Sequence, residues 1–229
     1  MIVAERKPFE EIKAMLAGYQ HILVVGCGTC VAVCLAGGEK EVGILGAQLR
    51  LAAKVAGERS HVDEATVERQ CDREFMEPLA RNIDRYDAVL STACGAGVQL
   101  LAEIYDTLPV FPALNTTFIG VAEGPGVWTE RCRACSDCVL GLTGGICPVT
   151  MCSKGLLNGP CGGAVDGHCE VDPERACAWG QIYERLRQTG RLEELSAIRP
   201  PKRHNVHVQP ARQVHQAYQK RYFAGGKEG

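Results

Sequence analysis

The sequence predicts an α/β chain, in which an N-terminal doubly wound domain built on a parallel sheet precedes a small cysteine-rich domain. Three observations carry this prediction. Strand-like apolar runs alternate with helical spacings through the first half of the chain. Glycine and proline interrupt that alternation in "VAEGPGVW", residues 121–128. Beyond the interruption, eight cysteines fall between residues 131 and 177, among few large apolar side chains. The expected organisation is an α/β domain over residues 1–122, a cysteine-rich domain with a C-terminal helix over 123–199, and a basic tail over 200–229.

Taken in order, "PFEEIKAMLAGY" sets Phe9, Ile12, Met15 and Leu16 at helical spacing and stops at Gly18, ahead of the strand-like "HILVVG". After a turn at residues 26–30 a long helix is expected through "GILGAQLRLAAKVAG", then a β-prone piece around "EATVERQC". A helix in "DREFMEPLARNI" leads to the apolar run "DAVLSTACG", the helix "AGVQLLAEIYDTL" and the run "PVFPALNTTFIG". Strands separated by helices of this length are βαβ units, which put helices on both faces of a parallel sheet. Regular structure returns in "AWGQIYERLRQTGRLEEL", an amphipathic helix with Trp179, Ile182 and Leu186 on one face. The polar, basic stretch from residue 200 is expected to be extended or disordered unless a partner holds it.

With 229 residues and 46% hydrophobic content, the chain can support a proper core. Its net charge of −2 leaves no electrostatic footprint for nucleic acid or anionic lipid. The longest uncharged run, residues 21–38, contains four glycines and three cysteines and does not read as a membrane span. The cysteine count, thirteen, is odd, and "MIVAERKPFEEIKAML" has neither an apolar h-region nor a cleavage site. Reduced thiols in a cytoplasm are therefore expected.

Cys132, Cys135 and Cys138 form C-x2-C-x2-C, the opening of the bacterial ferredoxin pattern, in which a remote C-P cysteine supplies a further ligand. Cys147 is followed by Pro148 and fits that part; Cys152, Cys161, Cys169 and Cys177 bring the number to eight, enough for two [4Fe–4S] clusters. Such a segment cannot offset its conformational entropy by burial, so a covalent or metallic cross-link is required. Glycines in "TGGICP" and "GPCGG" permit close backbone approach and N–H donation to sulfur. The competing reading is structural zinc, which favours paired C-x2-C knuckles. Only the first three cysteines have the two-residue gap, and the later gaps of four, eight, seven and seven residues make no second knuckle. Zinc stays open at an individual site.

In the first half Cys27 and Cys30 occupy the turn after the first strand, Cys34 follows one helical turn on, and Cys71 and Cys94 end the next two strand-like runs. The carboxyl ends of parallel strands lie along one edge, where open α/β folds place their ligands. A third cluster held by four of these five cysteines is expected, against the alternative that Cys34 is a small core residue. "GCGTCV" is no dinucleotide fingerprint, since Val31 stands where the third glycine would be. His21, His61, His168, His204, His207 and His215 are scattered, and no nucleophile–base pair or clustered carboxylates stand out. No catalytic or organic-cofactor residue is assigned: the chain is equipped to move electrons rather than to transform a substrate.

"GCGTCVAVCLAGGEKEV", "STACGAGVQ", "FPALNTTFIG", "CPVTMCSKGLLNGPCGG" and "CEVDPERACAWGQIYERLRQTGRLEEL", in this order, resemble the methylenetetrahydrofolate reductase C-terminal-domain family. Stand-alone members of that family include the small iron–sulfur subunit of the reductase used by acetogenic bacteria. The resemblance runs over about residues 8 to 200. It implies a partner, the flavin-containing barrel subunit that converts methylenetetrahydrofolate to methyltetrahydrofolate. A (β/α)8 barrel needs about 250 residues of its own, so folate and flavin chemistry is not expected in this chain alone. The resemblance points to the same thirteen cysteines without naming the spare one of the first five. The expected role is an electron-transfer subunit fed by a ferredoxin-like or heterodisulfide-reductase-type donor. The alternatives are a zinc-stabilised assembly subunit of the same complex and a corrinoid or folate methyl-transfer module.

Overall fold

The computed structural model describes residues 1–202 and 211–215, so most of the expected basic tail, with His204 and His207, lies outside the described residues. Backbone contacts divide the chain into two units, Met1–Arg133 and Ala134–Gly229.

In the first unit the order is β1 (Ile2–Arg6), α1 (Phe9–Met15), β2 (His21–Cys27), α2 (Cys30–Val33), α3 (Glu39–Ala56), β3 (His61–Val67), β4 (Ala88–Ser91), α4 (Gly95–Ile104), β5 (Val110–Pro112), β6 (Leu114–Gly124) and β7 (Val127–Cys132). A four-stranded parallel sheet has the order β3-β2-β4-β5. β2 pairs with β3 from His21↔His61 to Cys27↔Val67, and with β4 from Ile22↔Ala88 to Val25↔Ser91. The expected α/β architecture with a parallel sheet is what the chain forms.

The period of two along β2 explains how the sheet is buried on both faces. Ile22 and Val24 join the cluster that includes Ile12 of α1 and Val42, Leu45 and Leu49 of α3. Leu23 and Val25 join Met76, Leu79, Ile83 and Leu101 of α4 on the other face. The long helix α3 stops at Gly57, whose φ of 73° lets the Glu58 N–H return to Ala53 O at 2.9 Å.

Several local readings are corrected. The charged opening contains a strand, β1, in a second, antiparallel sheet of order β1-β6-β7. "PVFPALNTTFIG" divides at Ala113: β5 closes the parallel sheet, whereas β6 turns into the other one and pairs with β1 and β7. Arg73–Arg81 is a 3-10 helix with Pro78 inside it, as is Ile83–Arg85. A proline there removes a backbone donor, which an α-helix tolerates poorly. β3 also closes at Val67, before Cys71, and β4 at Ser91, before Cys94.

The described residues of the second unit have little regular structure: the short helix α5 (Pro148–Met151), α6 (Ala178–Gln188), and 3-10 turns at Leu140–Leu142 and Leu192–Ser196. Its core is Trp179, Ile182 and Leu186, the predicted face of α6, with Ile146, Cys152, Leu156, Cys177, Leu192 and Leu195 packed partly buried around them. On α6 the Glu184 carboxylate accepts from Arg187 Nε at 2.8 Å and from Gln188 Nε2 at 2.8 Å. Arg187 first, then Gln188, holds its carboxyl down to about 2.

So small a core makes each member costly to lose. Ile182→Ala should destabilise this unit by about 2–5 kcal/mol, measured by denaturant titration of Trp179 fluorescence in a Trp128→Phe background. Glu184 also sets a pH dependence. A carboxyl whose pKa falls on folding stabilises above its unfolded value, about 4.3, and that contribution is lost as pH falls towards about 2. Glu184→Gln should therefore flatten the acid limb of the unit's stability between about pH 4.3 and the folded value, in the same fluorescence assay.

Candidate metal centres

The parallel register brings the carboxyl ends of β2, β3 and β4 to one edge of the sheet, with β2 between the other two. In this order the chain leaves β2 towards one side and β4 towards the other, and the crevice between diverging connections is where such sheets bind ligands. Cys27 is the last residue of β2, Cys30 the first of α2, and Cys94 the N-cap of α4. Cys71 lies on the connection that follows β3. The Gly28 N–H donates to Val67 O at 2.9 Å and the Cys27 N–H to Gly37 O at 3.0 Å, which fixes the β2 turn against its neighbours. Gly37 is required here, because a Cβ would stand 1.9 Å from Thr92 O.

Cys71 feels the other three thiols. Burial pushes the Cys71 thiol above its ordinary pKa, and the negative charges of Cys94, Cys27 and Cys30 push it further in the same direction. Cys34 stands apart. It is buried in the core beside α1 and α3, with its thiol directed to Ala4 O at 3.5 Å and Val31 O at 3.6 Å. The structure thus gathers Cys27, Cys30, Cys71 and Cys94 at the sheet edge and uses Cys34 as packing. His21 and His61 sit at the opposite, amino ends of their strands, both exposed, with ring centroids 6.1 Å apart.

The remaining cysteines occupy loops and helix ends. Cys132 ends β7 in the first unit, and Cys135 and Cys138 follow in the second. Ala134 (φ 49°) and Ser136 (φ 57°), the residues on either side of Cys135, both adopt the left-handed conformation. Each costs about 1–2 kcal/mol relative to the usual helical region, and alternation of this kind turns successive N–H groups towards an anion, as in many iron–sulfur sites. Lys202 Nζ lies 3.1 Å from Cys135 Sγ and also donates to Asp137 O.

Cys147 caps α5, Cys152 ends it, and Cys177 caps α6 with its N–H on Gly167 O at 2.8 Å. Cys169 Sγ is 3.6 Å from Ser153 Oγ. Its pKa is lowered by that hydroxyl and then by the backbone N–H groups of Val171 and Asp172. Cys161 borders the Lys154–Glu170 ion pair, which spans the same loops. Cys161 and Cys169 are thereby drawn to the segment that follows Cys152.

None of the thirteen cysteines is in a disulfide. As placed, no three His, Cys, Asp or Glu side chains among the described residues form a metal cage. The donor set at the sheet edge is nevertheless all sulfur, the type that selects zinc or iron–sulfur clusters over hard cations. No helix among the described residues is long and apolar enough to cross a membrane.

Residues 111–205 match the family described as Methylene-tetrahydrofolate reductase C terminal. The match takes in β6, β7 and the eight cysteines from Cys132 to Cys177, and links the chain to methylenetetrahydrofolate reductase. Cys27, Cys30, Cys34, Cys71 and Cys94 precede the segment that this reductase family covers. No curated protein and no solved structure matches the chain.

Metal-free protein provides a test of this thiol geometry. Alkylation followed by mass spectrometry across a pH series should modify Cys169 at lower pH than an ordinary thiol and Cys71 at higher pH. Cys34 should stay protected until the first unit unfolds.

Proposed function

We propose that the chain is the electron-transfer subunit of a methylenetetrahydrofolate reductase complex, relaying electrons to the flavin of a separate barrel subunit that makes methyltetrahydrofolate. The observation that carries this reading is the gathering of Cys27, Cys30, Cys71 and Cys94 at the carboxyl edge of the parallel sheet, with Cys34 set apart in the core. The family match over residues 111–205 gives the reductase context. Those four thiols would hold one [4Fe–4S] cluster, and the eight cysteines from Cys132 to Cys177 two more; bound clusters supply one-electron chemistry.

The protein's own contribution is to place and tune the thiolates. Left-handed Ala134 and Ser136 set the backbone N–H groups around Cys135, and the Val171 and Asp172 N–H groups stabilise negative charge on Cys169. Hydrogen bonds to cluster sulfurs and burial are the levers by which a protein sets reduction potential. Reduction of the folate takes two electrons and two protons, so single-electron carriers must feed a flavin that accepts both electrons. A ferredoxin-like or heterodisulfide-reductase-type protein is the donor class, and the compartment is the reducing cytoplasm.

The second reading keeps the same thiols and assigns them zinc, which makes the chain an assembly subunit of the complex. It rests on the sulfur-only donor set, which zinc also accepts. Anaerobically purified protein should be brown and contain about twelve irons per chain, with cluster EPR signals after reduction. Cys71→Ser should remove about four of these irons, whereas Cys34→Ser should keep the wild-type content. A colourless protein with stoichiometric zinc that fully supports the barrel subunit would sink the redox assignment.

A further inference from the structure

Beneath the sheet-edge cysteines lies a polar network that no residue pattern announced. Gln70 is completely buried, as are Ser91 and Thr92. Gln70 Nε2 donates to Val25 O at 2.9 Å, and Gln70 Oε1 accepts from Ser91 Oγ at 2.7 Å. Ser91 Oγ in turn accepts from the Ala93 N–H at 3.3 Å. Thr92 Oγ1 stands 3.1 Å from Val25 O and 2.9 Å from Gly37 O, and the Thr92 N–H donates to Val25 O at 2.9 Å. Removing one partner from such a network leaves a buried polar atom unsatisfied.

The members of this network sit directly before the gathered thiols. Val25 is on β2 just ahead of Cys27, Gln70 is the residue before Cys71, and Ser91 to Ala93 lead into Cys94. α4 is pressed onto the same point: a Cβ on Gly97 would stand 2.8 Å from both the Gln70 and the Ala93 Cβ atoms. An apolar residue of similar size at position 70 would fill the space without desolvating an amide. The amide does what an apolar residue does not, since it fixes direction as well as distance between three separate connections.

We propose that Gln70, through Ser91 and the Val25 carbonyl, is a positioning residue that holds the end of β2 carrying Cys27 and the connections carrying Cys71 and Cys94 in the relation needed to grip a metal centre. The proposal deepens the functional reading above and rests on its assignment of those thiols. Partners of this outer kind set ligand orientation, and their loss costs about 10–100-fold in metal affinity.

The test uses the full chain, purified anaerobically, with iron followed as a function of chelator concentration. The iron of the sheet-edge site is taken as the difference between wild type and Cys71→Ser. Gln70→Met, and separately Ser91→Ala, should release that iron at about 10–100-fold lower chelator concentration, with an altered EPR line shape. The iron held by the second unit should be unchanged. Leu101→Ala, a core change on α4 far from hydrogen-bonding duty, serves as the control, compared at equal loss of melting temperature. It should keep the wild-type release curve.

Wild-type retention and line shape in both Gln70→Met and Ser91→Ala would overturn the proposal while leaving the cluster assignment intact. Equal iron loss in Leu101→Ala would overturn it as well, since general destabilisation would then account for the effect. Wild type and Cys71→Ser with identical metal content would overturn the site assignment itself, and the positioning role with it.

Discussion

The parallel pairing of β2 between β3 and β4 is the constraint on which the first unit depends. Parallel strands end together, so residues widely separated in sequence arrive at one edge without any direct pairing among them. Cys27, at the end of β2, and Cys71 and Cys94, on the connections that follow β3 and β4, reach the same neighbourhood for that reason. The apolar faces of β2, divided between the α1–α3 cluster and the α4 cluster, are what hold this register. A slip of one residue would turn Val24 and Val25 to each other's faces and carry Cys27 away from the edge. The thiol site is therefore a product of the core rather than of a local motif.

The second unit has the opposite logic. Among the described residues its buried core is essentially one face of α6, and the segment from Cys135 to Cys169 is loops and turns apart from the short helix α5 and the 3-10 turn at Leu140–Leu142. Backbone held left-handed at Ala134 and Ser136 needs something to over-determine it. With so few buried side chains among the described residues, the proposed clusters would supply that stabilisation, and folding and metal binding would then be a single equilibrium. Under the proposed function the two units would be two ways of building a thiolate site, one set by a preformed sheet and the other by loops that their metal would organise.

Much of this was legible in the sequence, for identifiable reasons. The long helix α3 and the strand β2 carry strong periodicity, and the buried face of α6 follows from its helical spacing. β1 was hidden because its five residues, "IVAER", end in charge and find their apolar partner only in distant β6. The division of "PVFPALNTTFIG" was hidden because a continuous apolar run does not say which sheet its residues join. C-x2-C-x3-C gives Cys27, Cys30 and Cys34 equal standing; only the fold turns the last towards Ala4 O and the core. Gln70 left no trace at all, since a glutamine before a cysteine has no signature, and its role exists only where three connections meet.

In the proposed function the sheet edge of the first unit would bind iron through Cys27, Cys30, Cys71 and Cys94. Anomalous diffraction recorded on either side of the iron edge, from crystals grown anaerobically, tests this most directly. An iron peak bonded to those four sulfurs is expected, with none at Cys34. A zinc-edge peak in its place, a peak bonded to Cys34, or no anomalous density at that edge would contradict it.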